Sequence, residues 1–210
     1  QKIGRLEREL EKIERTRATQ RRGRHGVPTV ALAGYTNAGK STLFNALTDA
    51  GTLAENRLFA TLDAKLRRGP LGDGRSAVFA DTVGFIRKLP HHLVASFRST
   101  LDEIVQSDLV LHVIDRSHPR WEEQKAVAEE VMKELGIDPA NVLEVHNKID
   151  RLPAEERISR ARAGVISVSA ETGEGIPALQ AKIARALGEK AHARPQETNS
   201  AAYWERVAAE

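Results

Sequence analysis

The run Gly34-Tyr35-Thr36-Asn37-Ala38-Gly39-Lys40-Ser41 is a complete G-x-x-x-x-G-K-S phosphate loop. Its surroundings suit it. Thr29-Val30-Ala31-Leu32-Ala33 before it reads as a buried strand, and Ser41-Thr42-Leu43-Phe44-Asn45-Ala46-Leu47 after it reads as a helix start. Strand, glycine loop and helix are the context in which this motif wraps a phosphate chain. Its backbone N–H groups and the helix N-terminus then face the anion. Lys40 would reach the β- and γ-phosphates, and the Ser41 hydroxyl would bind Mg²⁺. The bland alternative is a glycine turn beside a surface lysine.

Asn147-Lys148-Ile149-Asp150 follows a second apolar run, Val142-Leu143-Glu144-Val145. A carboxylate at Asp150 can accept from guanine N1–H and from its exocyclic amine. Adenine presents neither donor in that geometry, and a buried carboxylate left unpaired rejects the wrong base. Asn147 would brace the loop, and the Lys148 stem would lie across the base. Alone the four residues suit a solvated turn. Behind a phosphate loop they point to guanine.

Ala77-Val78-Phe79-Ala80 ends in Asp81-Thr82-Val83-Gly84. Asp81 at a strand end would hold Mg²⁺ through water, and Gly84 would bring its N–H to the γ-phosphate. Between these motifs lies a first switch segment, Leu58-Phe59-Ala60-Thr61-Leu62-Asp63, in which Thr61 is the Mg²⁺ ligand candidate and Thr52 its competitor. Val165-Ile166-Ser167-Val168 leads into Ser169-Ala170-Glu171, a last base-contacting loop whose Ala170 N–H would face guanine O6. That loop is recognised by position alone.

Taken in order, these pieces resemble a GTPase of the translation-factor class. The stretch Asp81-Thr82-Val83-Gly84-Phe85-Ile86-Arg87-Lys88-Leu89-Pro90, with Leu93 to Leu101 behind it, looks like the HflX family, sisters of the Obg GTPases. GYTNAGKSTLFN and FATLD are also HflX-like, and the resemblance covers about residues 1–187. It implies a GTP- and GDP-binding domain that hydrolyses GTP with Mg²⁺, and association with the large ribosomal subunit and its rRNA in ribosome splitting or rescue. A GTP-dependent binding switch and an Obg-like assembly factor are the alternatives. The family also carries an N-terminal domain and a helical hairpin ahead of its GTPase domain, so the chain is expected to begin inside that hairpin.

The remaining sequence sets bounds. With 210 residues and 40 % hydrophobic content, one main domain with an appendage is expected. Cys is absent, which excludes disulfides and Cys-ligated metals and fits a reducing cytoplasm. No apolar run approaches the roughly 18 residues of a membrane span. Residues 1–26 hold nine Lys/Arg against four Glu, while the whole chain carries only +3. A basic arm on a near-neutral body suggests an anionic partner, although a solvated helix face accounts for it equally well. Ile3, Leu6, Leu10 and Ile13 form a short coiled-coil stripe in that arm.

From these patterns the chain divides into a helical linker (1–26), a GTPase domain (27–188) and a C-terminal tail (189–210) without an assigned role. The domain is expected to be α/β: a mostly parallel central sheet with helices on both faces and one antiparallel edge strand near Lys65 to Pro70. Strands are expected at Ser76–Ala80, Leu109–Ile114, Val142–His146 and Val165–Val168. Helices are expected at Trp121–Leu135, closed by Gly136, and at Ile176–Leu187. A monomer is expected.

Two expectations concern catalysis. Ras-like GTPases place a water-orienting Gln after the second-switch glycine. Here Phe85 stands there, and a phenyl ring has no donor or acceptor. The catalytic set is therefore Lys40, Thr61 and Gly84, and slow intrinsic turnover is expected. Asn37 either holds K⁺ against the phosphates as an electrostatic substitute or only shapes the loop. Trp121 reads as a helix-start packing residue, with RNA stacking as the alternative, and His91-His92 as a surface pair.

Overall fold

A computed structural model describes residues 27–48, 65–85, 101–157 and 166–191. The arm 1–26, the first switch with Thr52, Phe59, Ala60, Thr61, Leu62 and Asp63, the His91-His92 pair and the tail from 192 lie outside the described residues.

Five strands form one sheet: β1 (Thr29–Ala33), β2 (Lys65–Pro70), β3 (Ser76–Asp81), β4 (Leu109–Asp115) and β5 (Val142–Asn147). Their order is β2-β3-β1-β4-β5. β1 pairs in parallel with β3 and β4, β4 pairs in parallel with β5, and β2 runs antiparallel to β3 in the register Lys65 to Asp81. The hairpin joining β2 and β3 explains the one reversal, because a short turn can only connect antiparallel neighbours. The sheet extends past β5 by a single parallel bridge between His146 and Ser167. The strand expected over Val165–Val168 is thus reduced, among the described residues, to two backbone bonds, His146 N–H to Ile166 O (2.9 Å) and Val168 N–H to His146 O (2.8 Å).

Helices α1 (Lys40–Thr48) and α3 (Ile176–Ala191) cover one face, while α2 (Trp121–Glu134) and helical residues 101–105 cover the other. Central strands buried on both sides read as near-continuous apolar runs. β4 does so, with all seven residues buried. Leu43, Phe44 and Leu47 of α1 pack with Val30, Leu32 and Phe79 of the sheet. Each such side chain contributes roughly 1.5–3 kcal/mol on burial. On the opposite face β1 presents only Ala31 and Ala33, and the side chain of Phe85, fully buried, joins the core there.

α2 carries Glu122 and Glu123 in its first turn and Lys133 in its last, both favourable to the helix dipole. It stops where expected. Gly136 adopts φ +73, and the bonds Gly136 N–H to Lys133 O and Ile137 N–H to Met132 O, both 3.0 Å, close a Schellman turn. α3 runs four residues beyond the expected Leu187. The Arg185–Glu189 pair at i,i+4, 2.9 Å apart, spans Gly188 and supports the extra turn.

Candidate nucleotide-binding site

The three central strands β1, β3 and β4, together with β5, end at the same edge of the sheet. Parallel sheets gather their strand-end loops there, and such edges hold ligands. The phosphate loop follows β1, Asp81 closes β3, Asp115 closes β4, and Asn147 to Asp150 closes β5.

Lys40 opens α1 and is 6 % exposed. Its ammonium donates to the carbonyls of Gly34 (3.1 Å) and Tyr35 (3.0 Å), lying over the loop mouth. Burial lowers its pKa to about 8, against the opposing pull of the Asp81 carboxylate. A phosphate placed there would supply the charge the site lacks. Ser41 donates its hydroxyl proton to Asp81 Oδ2 at 2.8 Å. A hydroxyl and a carboxylate in contact are hard oxygen donors, few in number. They fit Mg²⁺, which binds through one or two protein oxygens and completes its shell with water and phosphate. Thr82 is buried and donates its hydroxyl to Leu32 O at 2.6 Å, fixing the chain after Asp81. Thr42 stands half-buried on α1 beside Ser41.

Val83, Gly84 and Phe85 return to the phosphate loop. Thr36 N–H donates to Phe85 O and Phe85 N–H donates to Gly34 O, both at 3.0 Å. Between them Gly84 presses on Thr36. A Cβ at Gly84 would lie 2.7 Å from Thr36 Cα and Cγ2, and 3.1 Å from Lys40 Nζ. No L-residue with a side chain fits that approach, so glycine is required by space. Phe85 lacks a water-orienting group, and its ring also faces the core on the α2 side of the sheet, away from the loop.

The base loop is braced by Asn147, which is 1 % exposed. Its amide donates to Ala38 O (3.0 Å) and accepts from Ala170 N–H (3.1 Å). One side chain therefore ties the phosphate loop, the loop after β5 and the Ser169-Ala170-Glu171 turn together. Gly39 makes room for it. With φ +90, a Cβ there would fall 2.3 Å from Asn147 Nδ2. The Ala170 N–H, expected to face guanine O6, is the group that Asn147 Oδ1 accepts from. Ser169, fully buried, accepts from Thr172 N–H (3.1 Å) and shapes the turn, while Glu171 is exposed. Lys148 adopts φ +62, the left-handed region, and begins a 3₁₀ turn over Ile149–Arg151. Ile149 is buried, with its N–H on Val168 O (3.3 Å). Asp150 keeps 23 % of its side chain exposed, with Arg151 3.9 Å away.

Sequence reasoning passed over one residue, Asp115. Lys148 Nζ donates to Asp115 Oδ2 and to Asn37 O, each at 2.7 Å. Asp115 Oδ1 in turn accepts from the Ser117 N–H (3.0 Å) and hydroxyl (2.6 Å). An Asp ending a buried strand was the available signal, the same one that marks Asp81. Asn37, exposed with φ +60, offers its backbone carbonyl to this clamp. Trp121 is packed: the Arg116 guanidinium sits 3.4 Å over its ring, and His146 lies 6.0 Å away.

A phosphate loop, a metal-suited Ser/Asp pair and an Asn-Lys-x-Asp loop at one edge of such a sheet define the G domain of a P-loop GTPase. Residues 29–148 match a family model described as 50S ribosome-binding GTPase. The GTPase HflX of Magnetococcus marinus is 51 % identical over 192 residues, 90 % of this chain and 44 % of that protein. The Escherichia coli GTPase HflX is 46 % identical over 197 residues, again 90 % of this chain and 46 % of its own length. Among solved structures, a GTP-binding protein from Sulfolobus solfataricus in complex with GDP superposes with TM-score 0.63 at 28 % identity, over 90 % of this chain and 58 % of the other. The chain belongs to the HflX family of GTPases. It spans less than half the length of the curated relatives quoted. Among the described residues no helix is long and apolar enough to cross a membrane.

Proposed function

We propose that this chain binds GTP and GDP and hydrolyses GTP by in-line attack of water on the γ-phosphate. The observation that carries this reading is Asn147, whose two bonds hold the phosphate loop and the base loops in one rigid frame. A preorganised frame lets binding position the triphosphate without further ordering. Lys40 neutralises the β- and γ-phosphates, releasing the two carbonyls it now holds. Asp150 selects guanine. Ser41 would hold Mg²⁺ directly, Asp81 would hold it through water, and Thr61 would complete that set from the first switch. The metal's contribution is to neutralise charge on the phosphate oxygens.

Chemistry is slow in the isolated chain, because Phe85 supplies no group to orient water. The pairing of Phe85 with Gly34 and Thr36 keeps the second switch on the loop. An outside surface must order both switches. The family description, a 50S ribosome-binding GTPase, supports the large ribosomal subunit in that role. On this reading the chain acts as a monomer in the cytoplasm, in ribosome splitting or rescue.

GTP turnover and cosedimentation, each measured with purified large subunits under GDP and under a non-hydrolysable GTP analogue, test this. We expect slow basal turnover, and stronger subunit binding with the analogue. Equal affinity for ATP and GTP would overturn the nucleotide reading. Failure to cosediment in any nucleotide state would overturn the ribosomal one.

A further inference from the structure

We propose that the outer edge of β2, from Lys65 to the hairpin tip at Arg75, is a docking surface for the phosphate backbone of RNA. It lies outside the nucleotide pocket. It deepens the ribosomal reading above and rests on it only for which RNA is bound in the cell.

β2 is the last strand of the sheet in the described structure. Residues 65–75 contain Lys65, Arg67, Arg68 and Arg75 against a single carboxylate, Asp73, although the chain beyond residue 26 is slightly acidic. Asp73 is engaged by Arg75, at 2.8 Å from Nε and 2.7 Å from an η nitrogen. It therefore neutralises none of the strand's own cations. Lys65, Arg67 and Arg68 are all exposed. Lys65 and Arg67 project to the same side, about 6.8 Å apart along a strand, and neither has an ion-pair partner among the described residues. Arg68 projects to the other side, where its Nε donates to Ser76 Oγ at 2.7 Å, which orients the guanidinium. The strand edge is thus flanked by cations on both faces.

The hairpin adds an open, anchored surface beside this track. Arg68 and Arg75 line an open concavity of about 480 Å³ with Gly69, Pro70, Gly72 and Gly74. Arg75 is pinned by an η nitrogen on Ala184 O (2.7 Å), so the tip is anchored to α3. Would-be Cβ atoms at Gly72 and Gly74 meet nothing within 4 Å, leaving bare backbone open to a ligand.

Edge protection and an acidic protein partner both account for less of this surface. Charges on an edge strand prevent unwanted pairing, but that needs no orienting bond on Arg68 and no anchored tip. An acidic protein surface would carry the same sign as RNA. Protein interfaces, however, centre on a buried aromatic or apolar anchor. The exposed residues of β2 are three cations and Pro70. Arginine forks match phosphate oxygens two at a time.

The test is the triple variant Lys65→Gln, Arg67→Gln, Arg68→Gln in the full 210-residue chain, with Arg67→Glu alone as a milder second variant. Binding to a labelled single-stranded RNA of about 30 nucleotides is read by anisotropy between about 50 and 200 mM salt. We expect the triple variant to bind on the order of tenfold more weakly, and its salt slope to shrink by about 2, some 0.7 per lost phosphate contact. Arg67→Glu should weaken binding in the same direction. GDP affinity and melting temperature should hold in both. An arm variant, Arg21→Gln with Arg22→Gln and Arg24→Gln, should retain the part of the slope that belongs to β2. Unchanged affinity and slope in both edge variants would overturn the proposal. So would equal loss of binding to polyglutamate of matched charge, which would assign the edge to an acidic protein. Loss of GTP selectivity would overturn the nucleotide reading and leave this one standing.

Discussion

The Lys148 ammonium stands 2.7 Å from Asp115 Oδ2 and 2.7 Å from the Asn37 carbonyl, joining the ends of β4 and β5 to the phosphate loop. Only 10 % of the Asp115 side chain and 21 % of the Lys148 side chain are exposed. A charge pair this sheltered acts through geometry, holding the lysine stem where a base would stack. Replacing Asp115 by Asn should lower GDP affinity by about 1.5–3 kcal/mol, the worth of a hydrogen bond to a charged group. A double-mutant cycle with Lys148→Met, read by calorimetry, should show coupling above about 1 kcal/mol. Additive losses would mean that the contact carries no positioning role.

Base choice should follow Asp150. Asp150→Asn removes the acceptor for guanine N1–H and the exocyclic amine. GTP affinity should fall by about 2–4 kcal/mol, while xanthosine triphosphate, with the reversed pattern, should gain. Competition binding with both nucleotides checks the exchange. Loss of affinity for both would point to a broken loop.

Asn37 separates two roles cleanly because its φ is +60. Asn37→Gly keeps that backbone region at no steric cost and deletes only the amide. If the amide holds K⁺ beside the phosphates, turnover should be faster in KCl than in NaCl at equal ionic strength, and Asn37→Gly should abolish the difference while retaining GDP binding. Identical rates in the two salts for the unmodified chain would make Asn37 structural.

Stability should fall in mild acid through His112. This side chain is buried in β4, its Nε2 has no hydrogen-bond partner among the described residues, and burial lowers its pKa to about 4. A histidine depressed below its unfolded value near 6.5 is neutral in the native state, and the unfolded chain binds the extra proton first. Stability is therefore full above about pH 6.5 and declines as pH drops toward 4. The span is worth roughly 3 kcal/mol at most. His112→Leu should flatten melting temperature against pH across that window. An unchanged profile would assign acid sensitivity to other groups.

Much of this molecule was legible in the chain. Lys65–Pro70 reads as an antiparallel edge strand because a charged segment sits one short glycine turn before an apolar run. The phosphate loop reads from glycine spacing, and α2 from its dipole-matched ends with Gly136 behind. Each of these signals is local, set by periodicity or by a residue that only one backbone conformation suits. The single bridge at Ser167 was less legible, since so short a pairing depends on β5 beside it.

Tertiary structure decided the rest. Sequence order cannot tell that Gly39 clears space for Asn147, 108 positions later, or that Asn147 accepts from the Ala170 N–H across 23 residues. Nor can it tell that Asp115 and Asn37 share Lys148, or that Phe85 joins the same buried cluster as Ala31 and Ala33. These relations arise because parallel strands deliver distant loops to one sheet edge, where buried polar groups must find partners. The residue types are written in the sequence, and the packing of the sheet selects which of them meet.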